Sequence, residues 1–120
     1  MQYNSDFRYD LKRGNDAEKW FGGLLTGGSI ECKRDFKAHK TKNVFVEYEC
    51  RGKPSGIETT EAEYWVFIVG PHDNDLRAYL TTTERLRVLY QNALKSQNVR
   101  PGGDKMLSMG ALVKVEDLVA

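Results

Sequence analysis

Hydrophobic positions along the chain come in short blocks whose spacing switches between helical and strand periodicity, the pattern of a mixed α/β domain. Asn15-Asp16-Ala17-Glu18 sets a side-chain acceptor three residues before a glutamate, a capping box that opens a helix. Trp20, Phe21, Leu24 and Leu25 follow at helical spacing as its apolar stripe, and Gly27-Gly28 ends it. Residues 29–35 and 43–51 then alternate with period two, as strands do. In the first, Ile30 and Cys32 face one way and Glu31, Lys33 and Asp35 the other. In the second, Val44, Val46, Tyr48 and Cys50 share one face, and Phe45, Glu47 and Glu49 share the opposite one. Both cysteines fall on apolar sides and are expected to act as small buried hydrophobes.

Arg51-Gly52-Lys53-Pro54-Ser55-Gly56 has the composition of a loop. Thr60-Glu61-Ala62-Glu63 repeats the capping-box pattern and predicts a short helix to about Tyr64. Val66-Phe67-Ile68-Val69, closed by Gly70-Pro71, reads as a central strand buried on both faces, and residues 76–80 as a shorter one. Thr81-Thr82-Thr83-Glu84 caps a helix with the stripe Leu86, Leu89, Ala93 and Leu94 and with Tyr90 beside it. Residues 100–104 form a turn and 111–115 a last strand. The expected order is αββαββαβ, with a mixed sheet flanked by helices in a single domain over residues 1–120.

Composition narrows the class. Hydrophobic residues at 40% and charged residues at 29% of 120 exclude a disordered or fibrous chain. The longest apolar run, residues 64–69, is too short to span a bilayer, so no membrane partner is expected. The N-terminal sequence lacks the apolar core of a signal peptide, and two cysteines without CxxC spacing suit a reduced compartment; both point to the cytoplasm. The net charge of +1 hides a local imbalance. Lys33, Arg34, Lys37, Lys40, Lys42, Arg51 and Lys53 cluster around Glu31, Asp35, Glu47 and Glu49, giving a basic face that holds acids. Such a face attracts a polyanion while holding a cation, or it is a solvated lysine-rich loop.

If residues 36–42 close a hairpin, Asp35 stands opposite Asn43 and Glu31 opposite Glu47, or Glu49 in the next register. Like charges opposed on a sheet are destabilising. A compensating cation is then expected, and a site built only of carboxylate oxygens suits Mg²⁺ or Mn²⁺. A metal beside Lys33 in a basic groove is equipment for phosphodiester hydrolysis. The alternative is a solvent-facing hairpin of ordinary Glu-Lys pairs.

Glu31-Cys32-Lys33, after a helix bearing Glu18, resembles the acidic-x-Lys strand of the PD-(D/E)XK nuclease superfamily. The stretch from Tyr9-Asp10-Leu11 through residues 30–35 and 42–49 to Gly52-Lys53-Pro54-Ser55-Gly56-Ile57, Thr60, Ala62 and Tyr64-Trp65 is similar to small phage-type members, including those that act on Holliday junctions. The resemblance covers about half the chain and implies a restriction-endonuclease-like core and metal-dependent DNA cleavage, on branched or recombination intermediates among others. It also implies the host cytoplasm as location if the chain is phage-encoded. Carried onto this sequence, Glu31 becomes a metal ligand, Lys33 the catalytic lysine and Glu18 the helix carboxylate. The superfamily's Asp before this strand has no counterpart, since no Asp lies between Asp16 and Glu31. Either Asp35 and Glu47 supply the missing ligand or the site is remodelled.

Lys37, Lys40, Lys42, Lys53 and Ser55 are the expected DNA contacts, with Lys53, Ser55 and Gly56 as a phosphate-holding turn. His39 is either a loop histidine or a proton donor, and neither histidine has a second one at zinc-ligand spacing. One subunit offers one site, so cutting two strands calls for a homodimer. The competing function is a nuclease-fold protein that binds nucleic acid, or serves as an adaptor, without cleaving.

Overall fold

In a computed structural model of the chain, residues 29–119 are described; the helix expected from residue 15, and Glu18 with it, lies outside them. The most apolar run of the described residues forms strand β4 (Tyr64–Val69), which sits between β1 (Ile30–Asp35) and β5 (Arg77–Thr82) in a three-stranded sheet. β1 runs parallel to β4, with Glu31 beside Trp65 and Lys33 beside Phe67, whereas β5 runs antiparallel to it. Trp65, Phe67 and Val69 are buried, and the residues between them are partly exposed, so β4 buries one face completely rather than two.

A second, antiparallel sheet holds β2 (Asn43–Cys50), the two-residue β3 (Lys53–Pro54), β6 (Val99–Gly102) and β7 (Ser108–Lys114) in the order β3-β2-β7-β6. The reading of residues 100–104 as a turn thus gives way to a strand ending at Gly102. Pro101 is tolerated because β6 has no strand on its outer side among the described residues, so its missing N–H breaks no interior ladder. Val44 and Val46 pair with Val113 and Ala111, and these four buried side chains form one face of the core. Helix α2 (Thr83–Lys95) packs Leu86, Tyr90 and Ala93 into that core, and Thr82 caps it by accepting from the Arg85 N–H. The fold is therefore α/β with a mixed and an antiparallel sheet flanked by helices.

Two further expectations fail for identifiable reasons. The hairpin between the first two strands does not form, because the connection is itself structured. Asp35 Oδ1 accepts from the N–H groups of Lys37 and Ala38, starting the short helix α1 (Ala38–Thr41), and Lys42 turns the chain with φ 65°. Asp35 Oδ2 then accepts from Phe45 N–H at 2.9 Å, so a side chain, not the β1 backbone, meets the entering β2. β1 and β2 end in different sheets. The short helix at residues 60–64 is also absent: Ser29 accepts from Glu63 and Tyr64, and Thr83 Oγ1 donates to the Ala62 carbonyl, which holds this segment extended into β4.

A bulge changes one face assignment. The β2–β7 register slips between Glu47 and Glu49, which face Gly110 and Met109 respectively. An extra residue in one strand reverses the alternation beyond it. Glu49 therefore leaves the Glu47 face for the side of Tyr48, whose ring centroid lies 5.5 Å from that of Tyr90. Of the two cysteines, Cys32 is exposed and Cys50 partly buried, so neither is the fully buried hydrophobe expected; Cys32 sits on the edge strand β1, which has no neighbour on its other side among the described residues. The chain ends in a short helix α3 (Val115–Leu118) that no sequence signal announced.

Candidate functional site

The seam between the two sheets contains a groove of about 550 Å³. Period-two alternation on β1 sends Glu31 and Lys33 to it from one sheet, and Glu47 reaches it from β2 of the other. Glu61 lines it too, from the extended segment before β4. The carboxylates expected to oppose one another on a hairpin ladder instead line one groove from two different sheets. Glu31, Glu47 and Glu61 against Lys33 leave the groove with a formal excess of two negative charges. Sequence reading misses Glu61 because the capping-box pattern puts it in the first turn of a helix that does not form.

Glu47 is the best supported of these side chains. Its Oε2 accepts from Ser55 Oγ at 3.0 Å, and Ser55 N–H donates to the Tyr48 carbonyl. The helical turn Gly56–Glu58 presses on the same strand: a Cβ on Gly56 would lie 2.1 Å from the Glu47 carbonyl oxygen, and its φ is +55°. Only glycine lets the loop close onto β2 in this way. Ser55, expected at phosphate, is therefore occupied in orienting Glu47, the kind of outer contact that fixes a ligating carboxylate. Lys33 Nζ lies 5.9 Å from the Trp65 ring centroid, which holds its ammonium over the aromatic floor of the seam.

Asp35 plays another part. Both its oxygens are engaged by backbone N–H groups, three in all, which tie β1 to α1 and β2. That engagement counts against it as an ion ligand. Lys37 and Lys40 are exposed on and before α1, and Lys42 Nζ donates to the His39 carbonyl at 3.3 Å. Lys53 is exposed on β3. None of these four lysines lines the acidic groove, whose one basic residue is Lys33.

Among the described residues no group of three or more His, Cys, Asp or Glu side chains is arranged to hold a metal ion. The donors that are present still fit Mg²⁺ or Mn²⁺, because such ions keep several waters and bind through one or two carboxylates plus substrate phosphate. Glu31 and Glu47 offer those two carboxylates, both oxygen-only and both on the same groove. No helix among the described residues is long and apolar enough to cross a membrane. Comparison with protein-family models, with curated proteins and with solved structures finds no match to the chain.

Proposed function

We propose that the protein is a metal-dependent endodeoxyribonuclease that hydrolyses phosphodiester bonds of DNA, with Glu31, Lys33 and Glu47 at its centre and Glu18 as a further carboxylate from outside the described residues. The observation that carries this reading is the groove itself, which three glutamates and one lysine line together. A phosphate is repelled by that charge unless a cation accompanies it. Glu31 and Glu47 are the residues that would hold Mg²⁺ or Mn²⁺. Bound there, the ion supplies Lewis acidity toward a phosphoryl oxygen and lowers the pKa of an attacking water. Ser55 keeps Glu47 in place through its hydroxyl. Lys33 presents its ammonium where negative charge accumulates as the water oxygen attacks phosphorus and the bond to the leaving alkoxide breaks. The lysines at 37, 40, 42 and 53 hold flanking phosphates without reading bases. Each chain carries one such site, so cutting both strands of a duplex or a junction calls for a homodimer.

The test is incubation of the pure protein with linear, single-stranded and four-way-junction DNA in Mg²⁺, in Mn²⁺ and in chelator. Cleavage is expected with either ion and not with chelator. Lys33→Ala should slow single-turnover cleavage by on the order of a hundredfold while leaving DNA affinity nearly unchanged, and Glu31→Gln should weaken saturable Mn²⁺ binding. Unchanged cleavage by Lys33→Ala would sink the assignment. The engagement of Asp35 with three backbone groups favours a second reading, in which the same surface binds DNA without cutting it. Binding by a wild type that is inert with every ion would establish that one.

A further inference from the structure

Beside the acidic groove is a second cavity, of about 470 Å³, whose chemistry is the opposite. Arg34, Lys37 and Arg100 line it, and its one acid, Asp35, already accepts three backbone N–H bonds. Two aromatic rings line it as well. Phe36 is 66% exposed, and the Arg34 guanidinium carbon sits 4.5 Å from its ring centroid. Phe45 lies flat against the backbone of the second sheet, where a Cβ on Gly110 or Gly102 would come within 2.3 or 2.8 Å of its ring. The two glycines make room for that ring, which forms an apolar wall under cationic side chains.

We propose that this cavity binds an unpaired nucleotide of a nucleic-acid strand, with the base stacked on Phe36 and the adjoining phosphates held by Arg100 and Lys37. Flat apolar rings fit the face of a base, and the cationic side chains fit its phosphates; this combination is the usual equipment for single-stranded recognition. In a duplex both faces of each base are already stacked, so the cavity selects strands that are single or locally unpaired. A smaller space of about 290 Å³, lined by Lys33, Arg34, Phe45 and Glu47 among others, joins it to the acidic groove. A nucleotide held at Phe36 therefore places a neighbouring phosphate toward Glu47 and Lys33. In this respect the inference rests on the nuclease reading, for which it names the substrate class as DNA with unpaired nucleotides.

The experiment uses the full chain in chelator, so that binding is read without cleavage. Fluorescence anisotropy compares a labelled oligothymidylate, an oligonucleotide of equal length built of abasic sites, and a blunt duplex. The wild type should bind the oligothymidylate more tightly than the abasic strand. Phe36→Ala should weaken oligothymidylate binding about tenfold, as loss of one stacked base does. Phe36→Tyr should restore it, and neither variant should alter duplex binding. Arg100→Gln should lower the salt slope for the single strand by about 0.7, the loss of one phosphate contact. Equal wild-type affinity for the abasic strand and the oligothymidylate, or a Phe36→Ala variant that binds as the wild type does, overturns the subsite. Base-dependent binding in a protein that never cleaves keeps the subsite and removes the nuclease reading. Cleavage without any base dependence of binding removes the subsite alone.

Discussion

Gly56 shows how much of the candidate site depends on a residue with no side chain. Its +55° φ and the 2.1 Å separation that a Cβ would have from the Glu47 oxygen are independent obstacles to any other amino acid. Gly52, four residues earlier, shares only the first, with φ +80° and nothing within 4 Å. Gly52→Ala should therefore lose about 1 kcal/mol, the cost of left-handed backbone, and Gly56→Ala about 2–3 kcal/mol, because overpacking is added. Urea denaturation of the two variants measures the difference. Gly56→Ala should also depress any Glu47-dependent Mn²⁺ binding, and Gly52→Ala should not. Asp35 gives a second test at this scale. If it is a structural tie, Asp35→Asn loses stability by about 2–3 kcal/mol, because an amide cannot accept at both ends, while Mn²⁺ affinity holds. Calorimetric titration with Mn²⁺ checks the second half, and loss of affinity in a folded variant would make Asp35 a ligand after all.

Among the elements, α2 is fastened to the loop that supports Glu47. Tyr90 donates from its hydroxyl to Glu58 Oε1 at 2.7 Å, and Glu58 ends the turn begun by Gly56. Burial raises the Tyr90 pKa above its ordinary 10.0, and the bond to Glu58 raises it further. The native phenol thus keeps its proton at a pH where the unfolded one has lost it. The stabilisation from this group is complete below about pH 10 and declines as pH rises beyond, by about 1.4 kcal/mol per pH unit. Tyr90→Phe should lose about 1–2 kcal/mol at neutral pH and should flatten that alkaline decline, as seen in urea midpoints at pH 7 and above pH 10.

Element by element, the sequence was legible where a signal is local. Thr82 at the cap, the Leu86-Tyr90-Ala93 stripe and the alternation around Val44 and Val46 were each readable because neighbours within one turn or one strand decide them. Alternation likewise puts Glu31 with Lys33 on one strand face and Glu47 on another, and both faces line the groove. Partner choice was not readable. Whether β1 lies beside β2 or β4 depends on Asp35 reaching a backbone N–H ten residues away, and Glu49 changed sides through a bulge that composition does not reveal. Phe36 escaped notice because exposure of a single aromatic is a property of the finished surface.

For the whole molecule, the parallel pairing of β1 with β4 matters beyond the positions it assigns. Residues 36–63 leave the first sheet, build α1, β2 and β3, and return before the pair can close. That closure brings together residues distant along the chain, and distant contacts form slowly because the loop entropy must be met before the contacts reward it. Glu31 sits on β1 and Glu47 inside the excursion, so their common groove exists only once both sheets are in place. Nascent or partly folded chains therefore contain the acidic residues without the pocket they shape, and any cutting activity would begin only in molecules that have finished folding.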